Sequence, residues 1–279
     1  MGYKIVADSS ANLYEIAKVN YTTVPLKINT EIGEFVDEKG IELKKMVDYL
    51  YTTKEKSSTS CPSIGEWLKA FKGEKEIYAI TISSNLSGSY NSLKQAKDAY
   101  LEENPEAKIY LIDSYSTGPE MILLVEKIIE LKEKGLSFEE TCAEIKKYFP
   151  RCKILFALDS VRNLANNGRV SPLIASLVGI LGIKMLGEGS DDGKIELVYK
   201  GKGMKNVLKR MFEEMEKNGF VGDKVIISHV FNEEANQFIT SLIKKKYPNC
   251  DIKSHLTGGL CAYYVEKGGL ILGYETIEK

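Results

Sequence analysis

The sequence predicts an α/β protein of two domains, a mostly parallel sheet domain followed by an α+β domain. Three observations predict it. Short apolar runs alternate with helical periodicity through the first half, the βαβα order that requires a parallel sheet covered by helices. Pro150-Arg151 interrupts that order and marks a boundary, separating residues 1–150 from 151–279. Beyond it, Lys194–Lys200 alternates in polarity as an antiparallel strand does, and helices and strands follow in mixed order. A chain of 279 residues suffices for one large or two medium domains. Two domains leave a cleft, the default place for a ligand.

The elements follow in order. Lys4–Ala7 reads as a buried strand, Asn12–Lys18 as a short helix and Val24–Ile28 as a second strand. Leu43–Tyr51 is helical, with Leu43, Met46, Val47 and Leu50 on one face. Ser63 followed by Glu66 forms a capping box that opens the Trp67–Phe71 helix. Next come the strand Ile77–Ile82, a helix through Leu93–Leu101 and the strand Ile109–Ile112. The amphipathic segment Met121–Lys134 stops at Gly135, and the helix Phe138–Phe149 closes at Pro150. In the second half Ile154–Leu158 is a strand, followed by the polar loop Asn163–Arg169 and an apolar helix from Pro172. Helix Met204–Lys217, strand Val225–Val230, helix Glu233–Lys246, strand Asp251–Ser254 and a Gly-rich stretch Leu256–Tyr274 complete the pattern.

Composition excludes several functions. The chain is 43% hydrophobic and 28% charged with a formal net charge of −1, so it carries no footprint for nucleic acid or anionic membrane. Lys244-Lys245-Lys246 lies on a helical pattern and reads as a solvated face. The opening residues pass straight into a strand without the regions of a signal peptide. The longest apolar stretch, Pro172–Leu186, contains Lys184, Gly179 and Gly182 and is too short for an integral membrane segment. Five cysteines with no C-x-x-C spacing favour neither a disulfide framework nor a zinc site, and a reducing cytoplasm fits them best. No Walker loop or dinucleotide fingerprint is present, since Gly182-Ile183-Lys184 and Gly201-Lys202-Gly203 match neither. No metal and no cofactor is therefore expected.

Two hydroxyl-rich loops remain: Thr59-Ser60-Cys61-Pro62-Ser63 and Ser83-Ser84-Asn85-Leu86-Ser87-Gly88-Ser89-Tyr90. Each precedes a helix, where free backbone N–H groups, the helix dipole and hydroxyl donors suit a carboxylate or phosphate. Asp8-Ser9, Asp113-Ser114 and Asp159-Ser160 each end an apolar strand and read as turn formers and helix caps. Serine-hydrolase or transferase chemistry on a small ester or acyl substrate is the alternative, but only His229 and His255 are available as bases and no G-x-S-x-G elbow occurs. The segment Pro172–Leu186 reads first as core. Its Ile174, Leu177, Val178, Ile180 and Leu181 cover nearly every face of a helix, as burial between two domains would demand. If part of that surface lines a tunnel, the ligand is amphiphilic. Burying about 15 methylenes at ~0.8 kcal/mol each gives roughly 12 kcal/mol gross. A hydroxyl bonded to a carboxylate adds only ~1.5–3 kcal/mol. Apolar burial would then set affinity, and the hydroxyls would fix which end sits where.

These residues carry a family resemblance. Val6-Ala7-Asp8-Ser9-Ser10, Val24-Pro25-Leu26, the two hydroxyl loops, Ile112-Asp113-Ser114, Leu164-Ala165-Asn166-Asn167-Gly168-Arg169-Val170-Ser171 and Gly182-Ile183-Lys184 together resemble the DegV family, in the expected order and across essentially the whole chain. The resemblance implies a two-domain DegV-like fold holding a long-chain fatty acid in a tunnel between domains. It implies the acyl-carrying, non-catalytic subunit of a bacterial fatty acid kinase. Such a subunit presents the carboxylate to a separate ATP-dependent kinase catalytic subunit, and the acyl-phosphate enters phospholipid synthesis. Carried over residue by residue, the carboxylate ligands fall on Thr59 and Ser87, with Ser60 and Ser84 as neighbours. Many members carry a histidine before a Gly-Pro-Gly turn; here Ser254-His255-Leu256-Thr257-Gly258-Gly259 lacks the proline and is out of register, with His255 as the candidate. Cys61 stands where the family usually has glutamine. Arg169 keeps the arginine of a Gly-Gly-Arg motif and serves either an interdomain salt bridge or a contact with the kinase.

Overall fold

A computed structural model describes residues 2–178 and 180–277. β1 (Lys4–Asp8) and β2 (Tyr21–Val24) open the first sheet, and β3 (Lys27–Thr30) with β4 (Gly33–Val36) forms a hairpin. After α1 (Leu43–Thr52), β5 (Ser58–Ser60) returns to pair antiparallel with β3, placing Thr59 opposite Ile28. Then come α2 (Ile64–Phe71), β6 (Glu76–Thr81), α3 (Ser89–Glu103), β7 (Lys108–Asp113), α4 (Pro119–Glu133) and α5 (Phe138–Tyr148). The first sheet has the order β2-β1-β6-β7 and is parallel throughout.

The second half contributes β8 (Cys152–Leu158), α6 (Arg162–Asn166), α7 (Pro172–Ala175) and the hairpin β9 (Ile183–Gly189) and β10 (Ile195–Lys202). It continues with α8 (Met204–Lys217), β11 (Lys224–His229), α9 (Glu233–Lys246), β12 (Asp251–Leu256), α10 (Gly259–Val265) and β13 (Leu270–Glu275). These strands form a six-stranded sheet of order β10-β9-β8-β13-β11-β12. Only the β11–β12 pair in it is parallel. The mixed α/β architecture with a parallel first sheet and a second sheet after it agrees with the sequence. Among the described residues no helix is long and apolar enough to cross a membrane.

Three elements differ from expectation, each for a local reason. Asn12–Lys18 is not a helix: a 3-10 turn at Ser9–Ala11 ends at Asn12, whose φ is +59°. The Asn12 side chain is committed elsewhere, accepting from Gly258 N at 2.8 Å and donating to Ser228 Oγ at 3.2 Å. The strand expected over Val24–Ile28 splits in two at Pro25, which has no N–H for the ladder. The helix expected from Pro172 stops at Ala175, Gly182 adopts φ +77°, and Ile183 to Leu186 belong to β9. Gly179 lies outside the described residues. Ile174 and Leu177 are buried, but Val178, Ile180 and Leu181 are exposed, Leu181 to 95%, so this segment is not sandwiched between domains.

The helix that is sandwiched is α4. The sequence reads it as amphipathic, yet Met121 through Val125, Ile128 and Leu131 are all buried. They join Ile5, Ala7, Tyr78 and Ile80 of the first sheet in one cluster, while the same helix packs against β8, β11 and β13 of the second. Finally, the Gly-rich stretch Leu256–Tyr274 contains both α10 and the central strand β13.

Candidate functional site

The first hydroxyl loop is shaped by one strand pairing and one local cap. β5 is fixed by its pairing to β3, and Ser63 opens α2 with a capping box, its Oγ accepting from Glu66 N at 3.3 Å while Glu66 Oε2 accepts from Ser63 N at 2.7 Å. The chain between these anchors carries Thr59, Ser60 and Cys61. Ser92 of α3 donates to Pro62 O at 2.6 Å, tying this loop to the next. The two loops pack closely: a Cβ added at Gly88 would lie 3.3 Å from Cys61 Sγ.

The second loop hangs on a buried carboxylate. Asp8, at the end of β1, accepts from Ile82 N at 3.0 Å and Ser89 Oγ at 2.6 Å through one oxygen. Its other oxygen accepts from Ser10 N at 3.2 Å and from the Ser10 hydroxyl. Burial pushes the Asp8 carboxyl up to about 6, against the opposing pull of those donors. Ser87 Oγ accepts from Ser89 N at 3.2 Å. The far side of the loop rests on the β9–β10 turn, with Ser83 Oγ donating to Gly193 O at 2.7 Å and Asn85 to Asp192 O at 2.6 Å.

A second buried carboxylate sets α10. Asp37 accepts from Gly259 N at 2.6 Å, Leu260 N at 2.9 Å and Tyr14 Oη at 2.5 Å, compensating the free N–H groups of that helix end. Desolvation pushes the Asp37 carboxyl up while its donors hold it down. So anchored, α10 projects Leu260, Cys261, Tyr264 and Val265 toward the two loops. Tyr264 Oη lies 2.8 Å from Thr59 Oγ1.

Together these parts enclose a cavity of about 280 Å³. Thr59, Ser60, Ser87 and Arg169 line it on the polar side; Leu26, Ile82 and Leu86 from the first half face Phe156, Leu158 and Ile271 from the second. Arg169 Nη1 donates to Asn167 O at 3.1 Å, but its Nε is buried without a partner. Cys261 in the wall is kept as a thiol: burial pushes it up to about 12, and it sits 3.4 Å from both Thr117 Oγ1 and Ser10 O. An apolar chamber with hydroxyls and one guanidinium at its edge can hold an amphiphilic anion.

The structure brings Thr59, Ser60, Ser87 and Arg169 to one cavity and leaves Ser84 and His255 outside its lining. Ser84 is exposed, its N–H bonded to Asp113 Oδ1 at 3.1 Å. His255 is held in β12 opposite Ser228, with Nε2 2.9 Å from Ser228 Oγ, and burial followed by the nearby His229 lowers its pKa. That serine–histidine pair is not arranged for hydrolysis. Ser228 is fully buried and also bonded by Asn12, and neither residue lines the cavity. Sequence reasoning missed Asp37 and Tyr264 and read Asp8 as an ordinary turn former. The strand-ending Asp-Ser pairs were the one visible signal.

The geometry can be set beside known proteins. A family model for DegV, described as an uncharacterised protein family, matches residues 3–276. A DegV domain-containing protein of Streptococcus gordonii is 42% identical over 279 residues, covering 99% of each chain. The Fatty Acid Kinase (Fak) B3 protein of Streptococcus pneumoniae, loaded with linoleic acid, superposes with a TM-score of 0.96 at 40% identity, covering 99% of this chain and 100% of that one. A DegV family protein of Eubacterium eligens, loaded with heptadecanoic acid, gives 0.95 at 39% identity over the same shares. With a match of this extent in both sequence and backbone, the chain belongs to the DegV family.

Proposed function

We propose that this protein binds a long-chain fatty acid and presents the carboxylate to a separate ATP-dependent kinase subunit, for acyl-phosphate formation and phospholipid synthesis in the cytoplasm. One observation carries the reading: hydroxyls from two separate loops line the polar edge of one apolar cavity between the sheets. Close relatives support it, since the Streptococcus pneumoniae protein holds linoleic acid and bears a fatty acid kinase name, and the Eubacterium eligens protein holds heptadecanoic acid. In this reading Thr59 and Ser87 donate to the carboxylate, Ser60 assists, and residues 1–150 supply the hydroxyls while 151–279 supply much of the apolar wall. The carrier itself breaks no bond. Its task is to shield the tail and leave the head where a kinase can reach it, with Arg169 at that rim.

Solvent extraction of the purified protein followed by mass spectrometry tests the proposal. A bound acyl chain, or uptake of added long-chain acid, is expected; neither appearing refutes it. The double variant Thr59→Ala, Ser87→Ala should weaken binding of the acid while the thermal midpoint stays close to that of the parent. Unchanged affinity would remove these two residues from the headgroup site.

A further inference from the structure

We propose that Tyr264 is a headgroup-positioning residue, its phenol donating to Thr59 Oγ1 and so turning the threonine O–H toward an anionic headgroup in the cavity. The inference rests on the fatty-acid reading above. Tyr264 and Thr59 both line the cavity, with their oxygens 2.8 Å apart. Two hydroxyls at that distance share one proton, so one oxygen must accept. Acidity decides which. A phenol, with an ordinary pKa of about 10, is a stronger donor than an aliphatic alcohol, and the alcohol keeps its own proton for the next acceptor.

Arg169 pushes in the same direction. Its guanidinium lies beside the phenol and favours negative charge on that oxygen, although burial is the larger influence and keeps the group protonated. The order of donation runs from Tyr264 to Thr59 to the ligand, each bond polarising the next, with the Arg169 charge making the phenol a better donor. Across the cavity edge, Ser87 Oγ accepts from Ser89 N, which leaves its own O–H to donate to a second carboxylate oxygen. A carboxylate only accepts, so proton direction matters to it. A fatty alcohol can donate as well as accept and is indifferent to that direction.

This difference supplies the test. Oleic acid and oleyl alcohol are titrated into the wild type, Tyr264→Phe, Thr59→Ala, Thr59→Ser and the double variant Thr59→Ala, Tyr264→Phe. Tyr264→Phe should weaken oleic acid about 5-fold and oleyl alcohol less than about 2-fold. The loss should vanish in the Thr59→Ala background and persist in Thr59→Ser, which keeps the hydroxyl. Equal losses for acid and alcohol would mark a packing role and overturn the proposal, as would unchanged acid binding or an undiminished loss without the Thr59 hydroxyl. Should the wild type bind neither probe, the fatty-acid reading itself falls and takes this inference with it. Acid binding that ignores Tyr264 leaves the reading standing and removes the inference alone.

Discussion

The two hydroxyl loops reach one cavity by contrasting means. The first is held by a capping box within the loop itself and by a short pairing that sets Thr59 opposite Ile28, 31 residues back in the chain. The second depends on Asp8, 81 residues from the Ser89 hydroxyl it binds, and on a turn more than a hundred residues further along. Similar side chains thus do similar work with unequal security. Local capping loses about 1 kcal/mol when broken, whereas a buried carboxylate leaves several donors stranded when it is removed.

The largest expected effect follows from that inequality. Asp8→Ala leaves Ile82 N, Ser10 N and the Ser89 hydroxyl without their buried acceptor, and should cost about 3 kcal/mol or more of unfolding free energy. A denaturant titration with unchanged m-value measures it; a midpoint equal to the wild type would show that the second loop does not hang on this group.

A pH series sharpens the same point. Asp8 titrates near 6 in the folded protein against an ordinary 3.8, so the native state keeps a proton that the unfolded chain has already released. Stability from this group is therefore present at low pH and lost as pH rises from about 4 through about 6. Glu120, bonded to Ser116 Oγ and pushed by burial to about 7, extends the decline upward. Asp8→Asn should flatten the lower part of the curve and leave the upper part. The smallest change is Ser63→Ala, expected to cost about 1 kcal/mol without altering acyl uptake. A large loss of uptake there would mean the first loop is no more robust than the second.

How much was legible in the sequence follows the same division. The capping box at Ser63, the strand–helix alternation of the first half and the hydroxyl loops are patterns of short range, and each can be read from adjacent residues. Asp8 and Asp37 could not be read so, because their partners lie 74 and 222 residues away at Ile82 and Gly259. Tyr264 lies within the Gly-rich stretch Leu256–Tyr274, where no adjacent residue marks it; its partner Thr59 is 205 residues away. The segment after Pro172 misled for another reason. Its apolar residues have no helical period to keep, since Gly182 turns the chain into β9, whereas α4 has charged ends and still buries nearly all of its first two turns.

That placement of α4 has a consequence for how the molecule comes into being. The helix belongs to the early part of the chain yet covers β8, β11 and β13, and β13 itself is wedged between β8 and β11 as the second sheet's fourth strand. A nascent polypeptide that has not yet delivered residues 270–275 lacks both the keystone of that sheet and Ile271 of the chamber wall. The chamber wall is therefore complete only once the last strand is in place, and a fragment ending at Pro150 would leave uncovered the apolar face of α4 that β8, β11 and β13 shield.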